Sequence, residues 1–563
     1  MRRRDFLRRA LPAASLSILP SKADLLGCPR TFLQPSPSVQ FIDVTPRAKI
    51  AFKHCNGATG KKYLMETMGS GCAFLDFDCD GYLDIYFVNG GLLPEFKPNG
   101  DVRNALYRNN RDGTFTDVTE KAGVQGHGYG MGVVAGDYNN DGLPDLFVTN
   151  FNSSILYHNN GDGTFTDVTD KAGVNNKKWG TSAAFFDYDN DGLLDLFVCN
   201  YVDLSLDNNI YCGSYPNLRT YCSPENFKGT ACTLYHNNGD GTFTDVSQRA
   251  GIARARGKSL GVVTADFNDD GYQDIYVAND EVANFLFLNN KDGTFQEIAT
   301  LAGAGYTANG KAQSGMGVAA GDYDGDGRLD IIVTNLSFEG YTLFHNDGNE
   351  TFSDTSFPSG VGAPSLLLTG WGVGFTDYDN DGDEDIFAVN GHVMDNVQRL
   401  SPDLRYLEPT LLLENVDGKY VNATPHHGES LSVPRPSRGL AFGDFNNDGN
   451  VDILIGNCNG LPTLLRNDAR TGNHWLMILA VGKKSNREGI GLKVRVTAGG
   501  KTQTKEIVGG GSYLSSNDRR LHFGLGNNDR IERIEARWPS GTIQVLENVP
   551  ANQILNMAEP LKG

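Results

Sequence analysis

The sequence predicts an all-β chain, a seven-bladed β-propeller followed by a small C-terminal β-sandwich-like domain. Three observations carry that prediction. A nine-residue pattern, D-x-[DN]-x-D-G-x-x-D, recurs seven times, beginning at Asp76, Asp137, Asp187, Asp266, Asp322, Asp377 and Asp444. Each copy runs into four mostly apolar residues and an asparagine (Asn89, Asn150, Asn200, Asn279, Asn335, Asn390, Asn457), then into L-x-x-N and, usually, a D-G turn. Short β-branched and aromatic runs between turn residues read as strands. Four strands per unit, at a spacing of about 50 to 80 residues, make one propeller blade.

Taken in order, the chain opens with RRRDFLRR and a weakly apolar stretch to Leu19. Residues 1–25 read as an export leader in which Arg3, Arg4, Phe6, Leu7 and Arg8 resemble the twin-arginine signal. The run before Cys28 faintly resembles a lipoprotein box, which leaves an N-terminal lipid tether as an alternative anchor. No segment has the roughly 20 apolar residues of a membrane span, so the expected location is periplasmic or extracellular. The propeller is placed at 38–468. Its last unit ends at Asn467 without a fourth strand, whereas an orphan FIDVT at 41–45 matches the FTDVT of complete units. The N-terminal strand is therefore expected to complete blade seven and leave no exposed edge.

The repeated loops are built for a hard cation. Positions 1, 3, 5 and 9 hold Asp76, Asp78, Asp80 and Asp84 in the first loop and Asp137, Asn139, Asp141 and Asp145 in the second. The third and fourth hold Asp187, Asp189, Asp191, Asp195 and Asp266, Asn268, Asp270, Asp274. In the fifth and sixth they are Asp322, Asp324, Asp326, Asp330 and Asp377, Asp379, Asp381, Asp385; in the seventh, Asp444, Asn446, Asp448 and Asp452. Oxygens at 1, 3 and 5, a main-chain carbonyl at 7 and a closing carboxylate at 9 suit calcium, which takes about six to eight oxygen ligands. The expectation is up to seven Ca2+. The spacing resembles an EF-hand loop, but position 12 of the first copy is Phe87 and no flanking helices are signalled. The formal net charge of −19 fits this reading. Seven divalent ions would bring it to about −5, and the acidity argues against nucleic-acid partners.

Residues five and seven places before each loop are small, from Gly69 and Gly71 in the first unit to Ser437 and Gly439 in the last, as suits a centre where strands converge. Cys212, Cys222 and Cys232 fall in a polar insertion at about 203–231, where an exported chain with nine cysteines is expected to form a disulfide. Sequence does not say which of the three is left over. Cys199 and Cys458 read as core residues, and Cys55 with Cys72 as a further candidate pair. After a linker at 469–473, residues 471–560 alternate as strands from HWLMILAVG to TIQVLENV.

The loops and their flanks resemble the FG-GAP/VCBS repeat of integrin α-chain propellers, whose loops of this spacing bind calcium. The stretch ETMGSGCAFLDFDCDGYLDIYFVNGG, with the later NREGIG, GSYLSSND, LHFGLG and WPSG, more closely resembles the cartilage acidic protein family and its bacterial relatives carrying an ASPIC/UnbV domain. Leu492 and Lys493 stand where that family has Ala-Arg. The resemblance implies fold and metal and is nearly silent on activity. The expected function is an exported calcium-binding propeller that binds a protein or glycan partner through its loop face and the central funnel, enlarged by insertions near 203–231, 392–410 and 425–437. The alternative is an extracytoplasmic enzyme with its active site in the propeller funnel. Glu66, His392, His426, His427, Lys178, Lys258 and Arg438 are the titratable candidates there, the cations as an anion-binding crown at one channel mouth. No H-E-x-x-H or Walker motif is present, and no catalytic residue is assigned. His158, His236 and His345 share one slot of L-x-x-N with Arg108, Leu288, Glu414 and Arg466, which reads as blade surface. His474 and His522 carry no functional assignment.

Overall fold

The computed structural model describes residues 39–561 apart from 99 and 215–217; the leader at 1–25 and Cys28 lie outside the described residues. Among the described residues seven antiparallel sheets follow one another, six of four strands and the fourth with a short additional fifth. Blade 1 runs from the inside outward as Cys72–Leu75, Asp84–Phe87, Ala105–Asn109 and Phe115–Asp117. Blades 2 to 6 repeat that order from inner strands Gly130–Gly136, Gly180–Phe186, Ser259–Ala265, Val318–Gly321 and Gly370–Thr376. Blade 7 comprises Ser437–Gly443, Asp452–Asn457, Thr463–Asn467 and, outermost, Phe41–Asp43 from the other end of the chain. Phe41 pairs with Asn467 and Asp43 with Leu465, so the ring closes as the orphan FIDVT predicts.

The burial pattern explains the strand sequences. A second strand such as Asp145–Asn150 is buried along its whole length because neighbouring blades cover both faces of its sheet, so it reads as a continuous apolar run rather than an alternation. The outer strand Phe115–Asp117 buries only Phe115.

After the blades, His474–Val481 lies between Leu521–Gly526 and a parallel partner, Gln553–Ala558. Lys493–Ala498 lies between Lys501–Glu506 and Arg530–Arg537, which also pairs with Ile543–Pro550. Sequence alternation had not marked Gln553–Ala558 as a strand. Leu476, Val494, Phe523 and Ile534 share one buried cluster with Phe185, Phe197 and Val262 of blades 3 and 4.

The segment 509–518 leaves these sheets and enters the propeller axis. Gly509–Gly510 pairs with the inner strand of blade 4. The Leu514 carbonyl accepts from Val133 N–H of blade 2 at 3.1 Å, and Leu514 N–H donates to Ser182 Oγ of blade 3 at 3.0 Å. The Ser516 and Ser512 carbonyls accept from Phe74 of blade 1 and Val318 of blade 5 at 3.1 and 3.0 Å. Ser512 Oγ donates to the Leu440 carbonyl of blade 7 at 2.8 Å, and Tyr513 lies 4.9 Å from Trp371 of blade 6. The segment touches all seven inner strands. The small residues before each loop thus have a second cause: a Cβ on Gly132 would sit 2.9 Å from Leu514 Cα, too close for any side chain.

The rest of the axis is filled by Met65, Met68, Met131, Met316, Trp179, Trp371 and Tyr201. The insertion at 203–231, crosslinked by Cys212–Cys222, folds across the mouth remote from the repeated loops. Tyr221 OH donates to Glu66 Oε2 at 2.9 Å, Asn209 Nδ2 to the Lys61 carbonyl at 2.8 Å, and Asn396 Nδ2 to the Arg219 carbonyl at 2.9 Å. The insertions at 203–231 and 392–410 therefore close the funnel rather than widen it. Cys55 and Cys72 do not pair; both are free thiols, and the Cys72 Sγ is directed at the Leu454 carbonyl and Ser515. Among the described residues no helix is long and apolar enough to cross a membrane.

Candidate functional site

Each repeated loop winds around its first carboxylate. Asp76 accepts from the N–H groups of Asp80 and Gly81 at 2.9 and 2.8 Å, and Asp377 from Asp381 and Gly382 at 3.0 and 2.8 Å. The position-5 carboxylate accepts from the N–H of position 7, as in Asp80 from Tyr82 at 3.0 Å. Two residues turn left-handed: glycine at 6, such as Gly142 with φ 93, and position 4, where Cys79, Asn140, Asn190, Asp269, Asn380 and Asn447 all have φ between 54 and 63. Asn and Asp tolerate that region better than other side chains.

The position-9 aspartate ties the loop to the third strand. Its Oδ1 accepts from the N–H of the L-x-x-N asparagine in every blade, from Asn109 to Asp84 at 2.7 Å through Asn467 to Asp452 at 2.8 Å. That asparagine's amide then reaches the preceding blade. Asn159 Nδ2 donates to the Phe77 carbonyl at 2.8 Å, Asn237 to Tyr138 at 2.7 Å, Asn289 to Tyr188 at 2.8 Å and Asn346 to Phe267 at 2.9 Å. Asn415 to Tyr323, Asn467 to Tyr378 and Asn109 to Phe445 complete the circle at 2.8, 2.7 and 2.9 Å. Position 4 adds links in the opposite sense, for example Asn140 Nδ2 to the Gly192 carbonyl at 2.8 Å and Asn447 to Gly81 at 2.9 Å. From sequence, L-x-x-N received no role in the site; its recurrence once in every unit was the available signal.

The acidic side chains converge. Ligand atoms of Asp76, Asp78 and Asp84, of Asp187, Asp189 and Asp195, and of Asp322, Asp324 and Asp330 each lie within 4.8 Å of one another, so these clusters could hold metal ions. Burial, reinforced by the neighbouring loop carboxylates, pushes Asp84 and Asp145 up to about 8 and Asp330 to about 9. Asp274, Asp385 and Asp452 rise well above the usual carboxylate range, also by burial first. One side-chain oxygen of each of six loop residues is buried with no hydrogen-bond donor: Oδ1 of Asp78, Asp189, Asn268 and Asn446 at position 3, Oδ1 of Asp322 at position 1 and Oδ2 of Asp145 at position 9. Buried acceptors without donors are costly unless a cation meets them.

The slot before the L-x-x-N asparagine lies at the loops, not on free blade surface, which corrects the expectation for its histidines. His158, His236 and His345 place Nδ1 3.2, 3.2 and 3.1 Å from Oδ1 of Asp145, Asp195 and Asp330. The hydrogen bond to Asp195 raises the His236 pKa. In blade 1 the same slot holds Arg108, whose Nε donates to Asp78 at 2.6 Å. The C-terminal sheets add cations from outside: Arg537 reaches Asp266 and Asp269, both at 2.7 Å, Lys493 reaches Asp269 at 3.0 Å, and Lys505 pairs with Glu384. The loop-bearing face is thus the one the C-terminal region covers.

The funnel candidates lie on the far side, and their polar groups are already engaged. Arg438 is fully buried and donates to the carbonyls of Thr67, Gly391, Ser437 and His392 at 2.6 to 3.1 Å. Lys178 Nζ donates to the Ala231 carbonyl at 3.0 Å, and Lys258 pairs with Glu281 at 3.6 Å. No anion-binding crown forms from these three. Burial, with the nearby Arg438, lowers His392 to about 4, and its Nδ1 accepts from Met394 N–H at 3.0 Å. His427 is buried between Tyr378 OH and the Val39 carbonyl, at 3.1 and 3.3 Å. Glu66, raised by burial, is held by Tyr221 and by Tyr63 N–H.

Residues 482–562 match the family model described as ASPIC and UnbV. The FG-GAP-like repeat model matches at 76–148, 137–198, 227–277, 266–333 and 326–388, spans that cover half of the chain. The chain is similar to cartilage acidic protein 1 of Homo sapiens, 27% identical over 322 residues, which are 56% of this chain and 46% of that protein. It is likewise similar to the Mus musculus protein of the same name, 26% identical over 325 residues, 56% and 47% of the two chains. It spans about half the length of the curated relatives it matches. Among solved structures it is similar to an Agrocybe aegerita protein described as specifically recognising non-reducing terminal N-acetylglucosamine. That match has a TM-score of 0.39 and 16% identity over 70% of this chain and 87% of the other, a distance at which nothing about this chain follows.

Proposed function

Because the chain belongs to the FG-GAP-like repeat proteins and carries an ASPIC and UnbV domain at 482–562, we propose that it is an exported, calcium-stabilised propeller that binds a protein or glycan partner. The observation that carries the calcium reading is the set of buried, donor-less oxygens inside loops whose carboxylates are already pressed together. In each loop the side chains at positions 1, 3, 5 and 9, with the carbonyl at 7, hold one ion, and oxygen-only sets of this size suit calcium. Binding neutralises carboxylates that burial disfavours and braces the third strand and the preceding blade through the L-x-x-N asparagine. Calcium therefore stabilises the folded ring.

The partner surface is the face remote from the calcium loops, since the C-terminal region covers the loop face. There the crosslinked insertion at 203–231 and the segment 392–410 form the outermost layer, with Leu400 and Leu407 half exposed. Engagement of Glu66, His392 and Arg438 within the fold weighs against an enzyme in the funnel. The test is saturable binding of the calcium-loaded chain to an array of envelope glycans and proteins, lost when 203–231 is shortened. Turnover of a metabolite panel without such binding would support the enzyme instead. Export through the leader is tested by replacing Arg3 and Arg4 with Lys, which is expected to retain the folded chain inside.

A further inference from the structure

The Cys212–Cys222 bridge leaves Cys232 without a partner in its own insertion, but not without a neighbour. In blade 3 the strands Asp195–Asn200 and Thr233–Asn237 are antiparallel, with Leu196 opposite Tyr235, Phe197 opposite Leu234 and Val198 opposite Thr233. One further step of that register sets Cys199 opposite Cys232. Directly opposed residues of an antiparallel pair project to the same side with Cα atoms about 4.5 to 5.5 Å apart, inside the range of about 4.4 to 6.8 Å that a disulfide spans. Both side chains are buried, at 0% and 1% exposure, in one apolar cluster, and their thiols are hydrogen-bond neighbours. The remaining contacts are weak: Cys232 Sγ with Ser259 Oγ at 3.3 Å and Cys199 Sγ with the Gly261 carbonyl at 3.8 Å. The structure itself holds both as free thiols.

We propose that Cys199 and Cys232 form a second disulfide at the roots of the 203–231 insertion, enclosing the Cys212–Cys222 bridge within a larger covalent loop. The two thiols lose two protons and two electrons to an incoming disulfide of the oxidising compartment, which is reduced to two thiols. A mixed disulfide on one cysteine is resolved by the other. Either thiol can open that step, because the register sets the other directly opposite it. The bond would fix the insertion at both ends to the second and third strands of blade 3 and so pin the layer that reaches Glu66 and Lys61.

This inference rests on the exported reading, and the experiment separates the two. The full chain, expressed with its own leader, is denatured without reductant, alkylated, digested and mapped by mass spectrometry. The expected result is a Cys199 peptide joined to a Cys232 peptide, lighter by two hydrogens than the separate thiols, beside the Cys212–Cys222 link. In a Cys232→Ser chain, Cys199 becomes alkylated while Cys212–Cys222 persists. Alkylated Cys199 and Cys232 beside an intact Cys212–Cys222 link would overturn the inference and leave export standing. All four alkylated would overturn both.

Discussion

At the scale of single residues, the L-x-x-N asparagines do more than end a strand. Each spends its main-chain N–H on the position-9 aspartate and its amide on the preceding blade. Asn237→Ala would orphan the buried carbonyls of Tyr138 and Leu194, which its Nδ2 serves at 2.7 and 2.9 Å. A buried group left unpaired costs about 1–3 kcal/mol, so the variant is expected to melt several degrees lower while binding as many calcium ions as the parent. Unchanged melting would mean that water replaces the amide. The loop carboxylates make a second prediction. Their folded pKa values, about 8 for Asp84 and Asp145 and about 9 for Asp330, lie above the unfolded value of about 3.9. The metal-free fold therefore holds more protons than the unfolded chain, and this contribution is lost as pH rises through the folded values. The buried histidines His54, His392 and His522 have lowered pKa values and act oppositely, adding stability as pH rises to about 6.5. Between pH 7 and 9 the carboxylates dominate: chelated protein should lose melting temperature there, calcium-loaded protein should not, and calcium addition should release protons. A chelated chain that gains stability over that interval would contradict the charge assignments.

At the scale of elements, the blade was legible because it is local and repeated. Loop, apolar quartet and L-x-x-N recur in the same order in every unit, and the missing fourth strand of the last unit pointed directly to residues 41–45. Deleting those residues should remove the pairing of Phe41 to Asn467 and Asp43 to Leu465, expose two sheet edges and lower the melting temperature far more than removal of a five-residue tail. A truncation starting at Arg47 that melts like the parent would show that another strand fills the place. The histidine slot was misread because its variety of residues looked like tolerance. In the fold the slot faces the loop, so Arg108, Glu414 and the histidines each alter one site differently. Gln553–Ala558 was missed because its partner, His474–Val481, runs parallel to it from far away in sequence, a pairing that local alternation does not announce.

At the scale of the whole molecule, the segment 509–518 was the least legible part. Its partners are the seven inner strands, which contribute main-chain groups, the Ser182 hydroxyl and the Trp371 ring, and no sequence pattern encodes a convergence of that kind. What sequence showed was its counterpart, the small residues ahead of each loop. Gly132→Val is therefore expected to expel Leu514 from the axis and loosen the C-terminal region, seen as new protease cleavage near 509–518 with the blades intact; a fully protected variant would argue that the axis has room to spare. The central claim remains the metal. Magnesium should substitute poorly, since it demands short octahedral bonds. The most direct measurement is elemental analysis of the full exported chain after equilibrium dialysis against calcium. The account predicts one ion per loop, up to seven, all removed by chelation with a fall in melting temperature. Fewer than about four ions per chain, or chelation that leaves the melting temperature unmoved, would contradict it.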